Sequence, residues 1–273
     1  MTQAEKAQIF RKLHERPNAF IIPNPWDIGS ARILAHLGFQ ALATTSMGYA
    51  FSTGRRDGSL SREQTLAHAA AISSATDLPV SADLENGFGD APETAAETIR
   101  MAAEAGVVGG SIEDSSGRVE EPIYAIAHAA ERVRAAVEAA RALPFPFLLT
   151  ARAENYLWGR PDLADTIKRL QAYQEVGADV LYAPGLAARE DIEAVVRSVD
   201  RPVNVVMGLR GAQLTFSDLS VIGVKRISVG SALYRTAMGE FLRAAREMHD
   251  DGTFTFARNA ANPSELTEIF QST

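Results

Sequence analysis

The chain has 273 residues, 46% of them apolar, a formal net charge of −7 and no cysteine. That is enough apolar material for one large core or two small ones, but the acidic balance, with a pI of about 5.3, offers no basic surface for nucleic acid. The missing cysteines exclude disulfides, thiolate metal sites and cysteine nucleophiles.

The opening MTQAEKAQIFRKLHERP is polar and amphipathic, without the apolar core or cleavage site of a secretion signal. Because no apolar run approaches the ~20 residues of a membrane helix, a soluble, cytoplasmic protein with neither nucleic-acid nor membrane partners is expected. An apolar, β-branched run at 19–22 is followed by helical spacing at 26–37. The pair recurs as 41–46 with 62–74, 79–84 with 92–105, 109–113 with 124–142, and 146–151 with 163–176. It continues as 179–183 with 188–199, 202–207 with a shorter helix near 216–221, and 225–229 before a long amphipathic helix. Pro92 suits a helix start, and glycines at 38, 106 and 177 stand just past the last apolar turns. Four stops repeat as phrases, LGFQAL, AGVVGGS, VGADVLY and IGVKRIS, each a helix end feeding a strand.

Strands that alternate with helices need right-handed crossovers and a parallel sheet. Eight such units in about 250 residues predict a (β/α)8 TIM barrel, one domain over residues 1–273 with 232–273 as C-terminal helix and oligomerisation tail. An open doubly wound sheet would need a glycine-rich phosphate turn after the first strand, and IIPNPWDIGS is not one.

A barrel gathers functional residues at the C-terminal ends of its strands. Those ends carry Thr44, Thr45 and Ser46, then Asp83 and Glu85, then Glu113 and Asp114, then Arg152 and Glu154. In SADLENGFGD, Asp83 and Glu85 are two apart, so a strand points them to the same side, where they repel unless a cation lies between them. Three acids at one mouth suit a hard cation such as Mg²⁺, with Mn²⁺ as a substitute. The five histidines (14, 36, 68, 128, 249) lie in or beside helical segments and read as surface or packing residues. Any one of these strand-end groups alone is an ordinary cap, turn or bridge; their joint placement is what points to function.

DLENGFG resembles the signature D-x-D/E-x-G-Y/F-G, SIED the G-x-x-I/L-E-D that follows it, and TARAEN the A-R-x-E/D of the isocitrate lyase/phosphoenolpyruvate mutase superfamily. The opening FIIPNPWDIGSARILAHLGFQALATTS is similar to that family's first two βα units, and the match runs in order over at least residues 18 to 190. The resemblance implies a (β/α)8 barrel, commonly tetrameric, with its last helix swapped between subunits. It implies Mg²⁺ bound mostly through water, and small 2-oxo or 2-hydroxy carboxylates cleaved or rearranged at a C–C or P–C bond through a pyruvate-enolate-like species. By it Asp83, Glu85 and Glu113 hold the metal, and the peptide around Thr45, Ser46 and Met47 holds the substrate carboxylate and oxo group. Arg152 clamps the anionic end, Asp57 matches an acid in the loop after strand two, and Asn204, offset from the family's usual amide, is a further substrate contact. A homodimer or homotetramer is expected.

The departures narrow the chemistry. Isocitrate and methylisocitrate lyases carry K-K/R-C-G-H after the strand-four acid, whereas this chain reads EDSSGRVEEPIYAI, without Cys, Lys or His. Phosphonopyruvate mutases use a Lys and an Asn in a longer loop, also missing here, and Pro184 stands where better-known members have His or Glu. Neither reaction transfers directly. The expected function is a Mg²⁺-dependent lyase or decarboxylase that cleaves a C–C bond in a small 2-oxo or 2-hydroxy (di)carboxylate through an enolate, with a proton taken from solvent. The alternatives are P–C bond chemistry of the phosphonopyruvate or carboxyphosphonoenolpyruvate mutase type, and a non-catalytic 2-oxo acid binding protein. Arg118 on the short loop is a candidate replacement for the missing lysine, with Tyr49 or Tyr156 as proton source. The apolar segment 254–256 is expected against a neighbouring subunit, or else folded back on its own barrel.

Overall fold

A computed structural model describes residues 1–208 and 213–271. Eight strands form: β1 (Phe20–Ile22), β2 (Leu42–Ala43), β3 (Val80–Asp83), β4 (Gly109–Glu113), β5 (Leu148–Arg152), β6 (Val180–Tyr182), β7 (Val203–Val206) and β8 (Arg226–Ser228). The helices are α1 (Gln3–Glu15), α2 (Ile28–His36), α3 (Ser46–Ser52), α4 (Arg62–Ala75), α5 (Pro92–Glu104), α6 (Ile126–Arg141), α7 (Leu163–Glu175), α8 (Arg189–Arg197), α9 (Phe216–Ile222), α10 (Ala232–Arg246) and α11 (Pro263–Gln271). The strands lie in the order β1-β8-β7-β6-β5-β4-β3-β2, parallel throughout. This is the expected (β/α)8 architecture, a nearly closed barrel wrapped by its crossover helices. Among the described residues no helix is long and apolar enough to cross a membrane.

Closure between β1 and β2 is thinner than elsewhere. In place of a ladder, the Ala43 N–H donates to the Pro23 carbonyl at 3.0 Å. Asn24, just past β1, donates from Nδ2 to the Thr44 carbonyl at 2.9 Å, and its Oδ1 accepts from the N–H groups of Val229 and Gly230 at 2.9 Å each. One buried amide therefore ties the ends of β1, β2 and β8 together.

The eight strand runs and eight crossover or following helices fall where the apolar pattern places them, because strands buried on both faces read as continuous apolar runs. Three helices were not anticipated. α1 is mostly polar, but a capping box between Thr2 and Glu5 starts it, and its Phe10 and Leu13 close the floor of the barrel with Phe20, Ile22, Val108 and Leu148. Phe10 comes so close that a Cβ on Gly109 would lie 2.8 Å from its ring, so only glycine fits at the start of β4. α3 cuts short the strand expected over 41–46: Thr45 turns out of the sheet and its Oγ1 accepts from the Gly48 N–H at 3.2 Å as N-cap.

α11 packs along α2, so the end of the chain folds back on its own barrel. Phe254 is left 68% exposed, and Phe241, Leu242 and Met248 on and after α10 are exposed too. Of the tail expected over 232–273, residues 272 and 273 lie outside the described residues.

His14 is the packing histidine its helical setting implied. Its ring sits edge-on between Phe10 and Phe20, with Nδ1 2.9 Å from the Phe10 carbonyl oxygen. Burial first, then the charge of Arg226, pushes its pKa down to about 3. As pH falls below the ordinary 6.5, the unfolded chain takes up a proton that the folded chain refuses, so stability is lost between about 6.5 and about 3. A His14→Leu variant is expected to remove about 1.4 kcal/mol per pH unit from the slope of stability in that window, read by urea unfolding at several pH values; an unchanged slope refutes it.

Candidate active site

The end of β3 is shaped by its neighbours. The Asp83 N–H donates to Thr44 Oγ1 at 2.8 Å, and Asp83 Oδ2 accepts from the Ser46 N–H at 3.1 Å, so β2 and the start of α3 fix both backbone and carboxylate. Past the strand, Glu85 adopts φ +48°, a left-handed conformation that costs a non-glycine residue energy. The loop that follows is held by Arg132 of α6, which is 1% exposed. Its Nη1 donates to the carbonyls of Gly89 (2.6 Å) and Asp90 (2.8 Å), and its Nη2 to that of Asn86.

Arg152, at the end of β5, is the hub. Its Nη1 donates to Asp83 Oδ1 at 2.8 Å, its Nη2 lies 3.0 Å from Glu113 Oε2, and its Nε donates to Glu154 Oε1 at 2.9 Å. Its guanidinium also lies 5.3 Å from the centre of the Tyr182 ring. Burial would lower the Arg152 pKa, but Glu154, Glu113 and Asp83 outweigh it and keep the group charged. Burial raises Glu113 well above the ordinary carboxylate range in spite of Arg152, and raises Glu154 in the same way. Glu85 is pushed up to about 7, by burial first and then by Asp83 and Asp57, and its Oε1 is buried with no hydrogen-bond partner. Asp57 is raised by burial and by Asp83, while hydrogen bonds from Gly58 and Ser46 pull the other way.

These groups line one cavity of about 1200 Å³ at the C-terminal ends of the strands. Of the residues expected there, Thr45, Ser46, Met47, Asp57, Asp83, Glu85, Glu113, Arg152 and Asn204 all line it. Met47 also accepts from the Ser231 hydroxyl at 3.1 Å. Arg118 does not line it: its Nη1 pairs with Asp90 at 2.6 Å and its guanidinium packs near the Tyr124 ring, on the outer side of the loop. Tyr49 stacks on His68 with ring centres 3.8 Å apart, and neither it nor Tyr156 lines the cavity. Asp114 faces away from its neighbour Glu113, as strand alternation requires. It accepts from Arg169 Nη1 (3.0 Å), the Tyr173 hydroxyl (2.5 Å) and the Glu154 N–H (2.8 Å), locking the ends of β4 and β5 to α7.

Residues that sequence reasoning missed are Asn24, Tyr182, Arg226 and Ser228, all of which line the cavity. The alternation of β6 and β8 was the available signal, since Tyr182 and Ser228 end their strands on the inward face. Trp158 also reaches the rim and donates from Nε1 to Ser115 Oγ at 3.1 Å, pinning the start of the short loop.

The donor set fits a hydrated dication. Its members are hard oxygens, one of them unpartnered, and their mutual repulsion is the situation that a cation relieves. Among the described residues no three acids are gathered tightly enough to ligate a metal directly, and Arg152 stands between Asp83 and Glu113. Mg²⁺, which keeps several waters and takes only one or two carboxylates, suits that spacing.

Residues 10–249 match the family described as phosphoenolpyruvate phosphomutase. The 2-methylisocitrate lyase of Bacillus subtilis (strain 168) is 30% identical over 209 residues, 74% of this chain and 67% of that one. A crystal structure from Burkholderia cenocepacia J2315, described as a lyase/mutase, superposes with a TM-score of 0.96 at 62% identity, covering 98% of this chain and 96% of that one. The fold is shared also with phosphonopyruvate hydrolase, solved with oxalate and Mg²⁺, at a TM-score of 0.87 and 22% identity, covering 100% of this chain and 96% of that one.

Proposed function

The chain belongs to the phosphoenolpyruvate phosphomutase family, within the isocitrate lyase/PEP mutase superfamily, and on that premise we propose that it is a cytoplasmic, Mg²⁺-dependent lyase or decarboxylase that cleaves a C–C bond in a small 2-oxo or 2-hydroxy (di)carboxylate. The observation that carries this reading is the convergence of Asp83, Glu85, Glu113 and Arg152 in one cavity at the strand ends, with Asp83 and Glu113 paired to Arg152. Asp83, Glu85 and Glu113 hold the metal, largely through water. Mg²⁺ supplies Lewis acidity to the 2-oxo and carboxylate oxygens, where enolate charge develops.

The peptide around Thr45, Ser46 and Met47 seats the carboxylate and oxo group. Arg152 balances the acids, as its fork is built to do, and Asp57 completes the acidic wall. The loop from Ser115 to Pro122 contains no Cys, Lys or His, so the carbon that keeps the electron pair when the C–C bond breaks takes its proton from water in the cavity.

The test is a screen of the purified protein with Mg²⁺ against oxaloacetate, substituted malates, methylisocitrate and phosphonopyruvate, with detection of any released 2-oxo acid. Turnover of a C–C substrate supports the reading. Mg²⁺-dependent binding of oxalate with no product from any compound favours a 2-oxo acid binding protein instead.

The family description also supports a second reading, P–C chemistry on a phosphonopyruvate-like substrate. That reading needs a loop cation, and Arg118 would have to leave Asp90 to serve as one. Arg118→Ala is therefore expected to lower kcat/KM at least tenfold on a phosphonate and less than twofold on a C–C substrate; the opposite pattern reverses the choice.

We also infer that the apolar side chains left open on and after α10, Phe241, Leu242, Met248 and Phe254, pack in a homodimer or homotetramer, with α11 kept on its own barrel. Phe241→Glu is expected to lower the oligomeric order in sedimentation equilibrium, and a wild-type monomer refutes the assignment.

A further inference from the structure

Arg226 opens β8 inside the barrel, lines the cavity and is 5% exposed. Its Nε donates to Asn204 Oδ1 at 2.8 Å and its Nη2 to Thr150 Oγ1 at 2.9 Å. Both acceptors are neutral, so they orient the guanidinium without balancing its charge. Its Nη1 is buried and has no hydrogen-bond partner, and Arg226 makes no ion pair among the described residues. The other arginines that line the cavity are paired: Arg62 with Glu97 at 2.7 Å, and Arg152 with three carboxylates. Burial lowers the Arg226 pKa only to about 10, so the group is charged at neutral pH. A buried charge without a counter-ion is among the costliest features a protein keeps.

The surroundings hold that charge in one place. Asn204 Nδ2 donates to Ser228 Oγ at 3.0 Å, which turns the amide oxygen toward Arg226. Thr150 lies two residues before Arg152 on β5 and shares its face, so the deep guanidinium is anchored about 7 Å below the mouth along the strand. Tyr182 interacts with both guanidinium groups.

We propose that Arg226 is the anchor of a second anion subsite, inside the barrel below the acidic mouth, which takes the distal carboxylate of a dicarboxylate substrate. Nη1 donates the remaining hydrogen bond, and the ligand supplies the counter-charge that the protein omits. The mouth repels a second carboxylate, since Asp57, Asp83, Glu85 and Glu113 line it, so the distal end is directed inward to the uncompensated cation. A tie between β5, β7 and β8 alone would explain two of the guanidinium's contacts but not the buried Nη1 left without a partner on a residue that lines the cavity. The assignment of the ligand as substrate rests on the lyase reading above.

The test reads binding, without turnover. Succinate, which has two carboxylates and no oxo group, is titrated into the metal-free protein by calorimetry, with acetate and inorganic phosphate as comparison anions. Oxalate with Mg²⁺ is titrated separately as a reporter of the mouth. The wild type is expected to bind succinate at least tenfold more tightly than acetate. Arg226→Met is expected to lose that preference while oxalate binding changes less than threefold. Asn204→Asp supplies an internal counter-ion of nearly the same shape, and is expected to abolish succinate binding with no fall in melting temperature.

Loss of succinate binding in both variants, with oxalate retained, supports the subsite. Unchanged succinate affinity in a folded Arg226→Met or Asn204→Asp variant overturns it. So does a wild type that binds inorganic phosphate but not succinate. Failure of oxalate to bind the wild type with Mg²⁺ overturns the proposed function, and leaves the succinate result to stand or fall on its own.

Discussion

Asp83→Ala is expected to lower kcat/KM on the C–C substrate by at least about 100-fold. Asp83 receives the Ser46 N–H and Arg152 Nη1, and its charge adds to the burial that pushes Glu85 up to about 7. Removing it withdraws one donor from the proposed metal site and frees one arm of Arg152. Asp83→Asn separates these effects, because it keeps the shape and removes only the charge. Activity is expected to fall as far in Asp83→Asn as in Asp83→Ala, with the melting temperature held within a few degrees and the Mg²⁺-induced rise in melting temperature lost. Full turnover in Asp83→Asn would show that the acid is structural.

The largest effect on stability is expected at Arg132. Three carbonyls of the loop after β3 depend on this one buried guanidinium, whose central carbon lies 4.6 Å from the centre of the Tyr124 ring. Arg132→Met keeps most of the packing and leaves the carbonyls without donors, at about 3–5 kcal/mol, roughly 10 °C in a chain of this size. Because the same loop carries Glu85, Mg²⁺-dependent oxalate binding is expected to weaken as well. Arg11→Met, which breaks only an exposed pair with Glu15 at 3.6 Å, is the control and should stay within about 0.5 kcal/mol. Equal melting temperatures for the two variants would refute the anchoring role of Arg132.

The barrel was legible because its strands are buried on both faces and its helices carry their own stops, such as Gly177 at φ +101° past α7. The acidic mouth was legible for a related reason: a strand end is a place, and Asp83, Glu85, Glu113 and Arg152 each stand at one. What escaped were roles set by distant partners. Nothing local marks Arg226 as unpaired, since its contact with Thr150 spans 76 positions. Nothing near Arg118 shows that Asp90, 28 residues earlier, takes its charge. α1 escaped because a helix that plugs a barrel floor needs only two or three large apolar residues, and its 13 residues otherwise look like a surface tail. Asp114 is the instructive exception: the alternation that put Glu113 inside already sent its neighbour outward.

The thin closure between β1 and β2 gives this barrel a preferred place to breathe. Seven strand junctions are ladders, and the eighth rests on one main-chain bond and the Asn24 amide. Local opening follows the least cross-linked path, so the amide proton of Ala43, which donates to the Pro23 carbonyl, should exchange with solvent sooner than those within β4 and β5. The residues proposed to seat the substrate carboxylate come directly after that junction, which would couple how easily a ligand enters to how long one asparagine holds its three bonds.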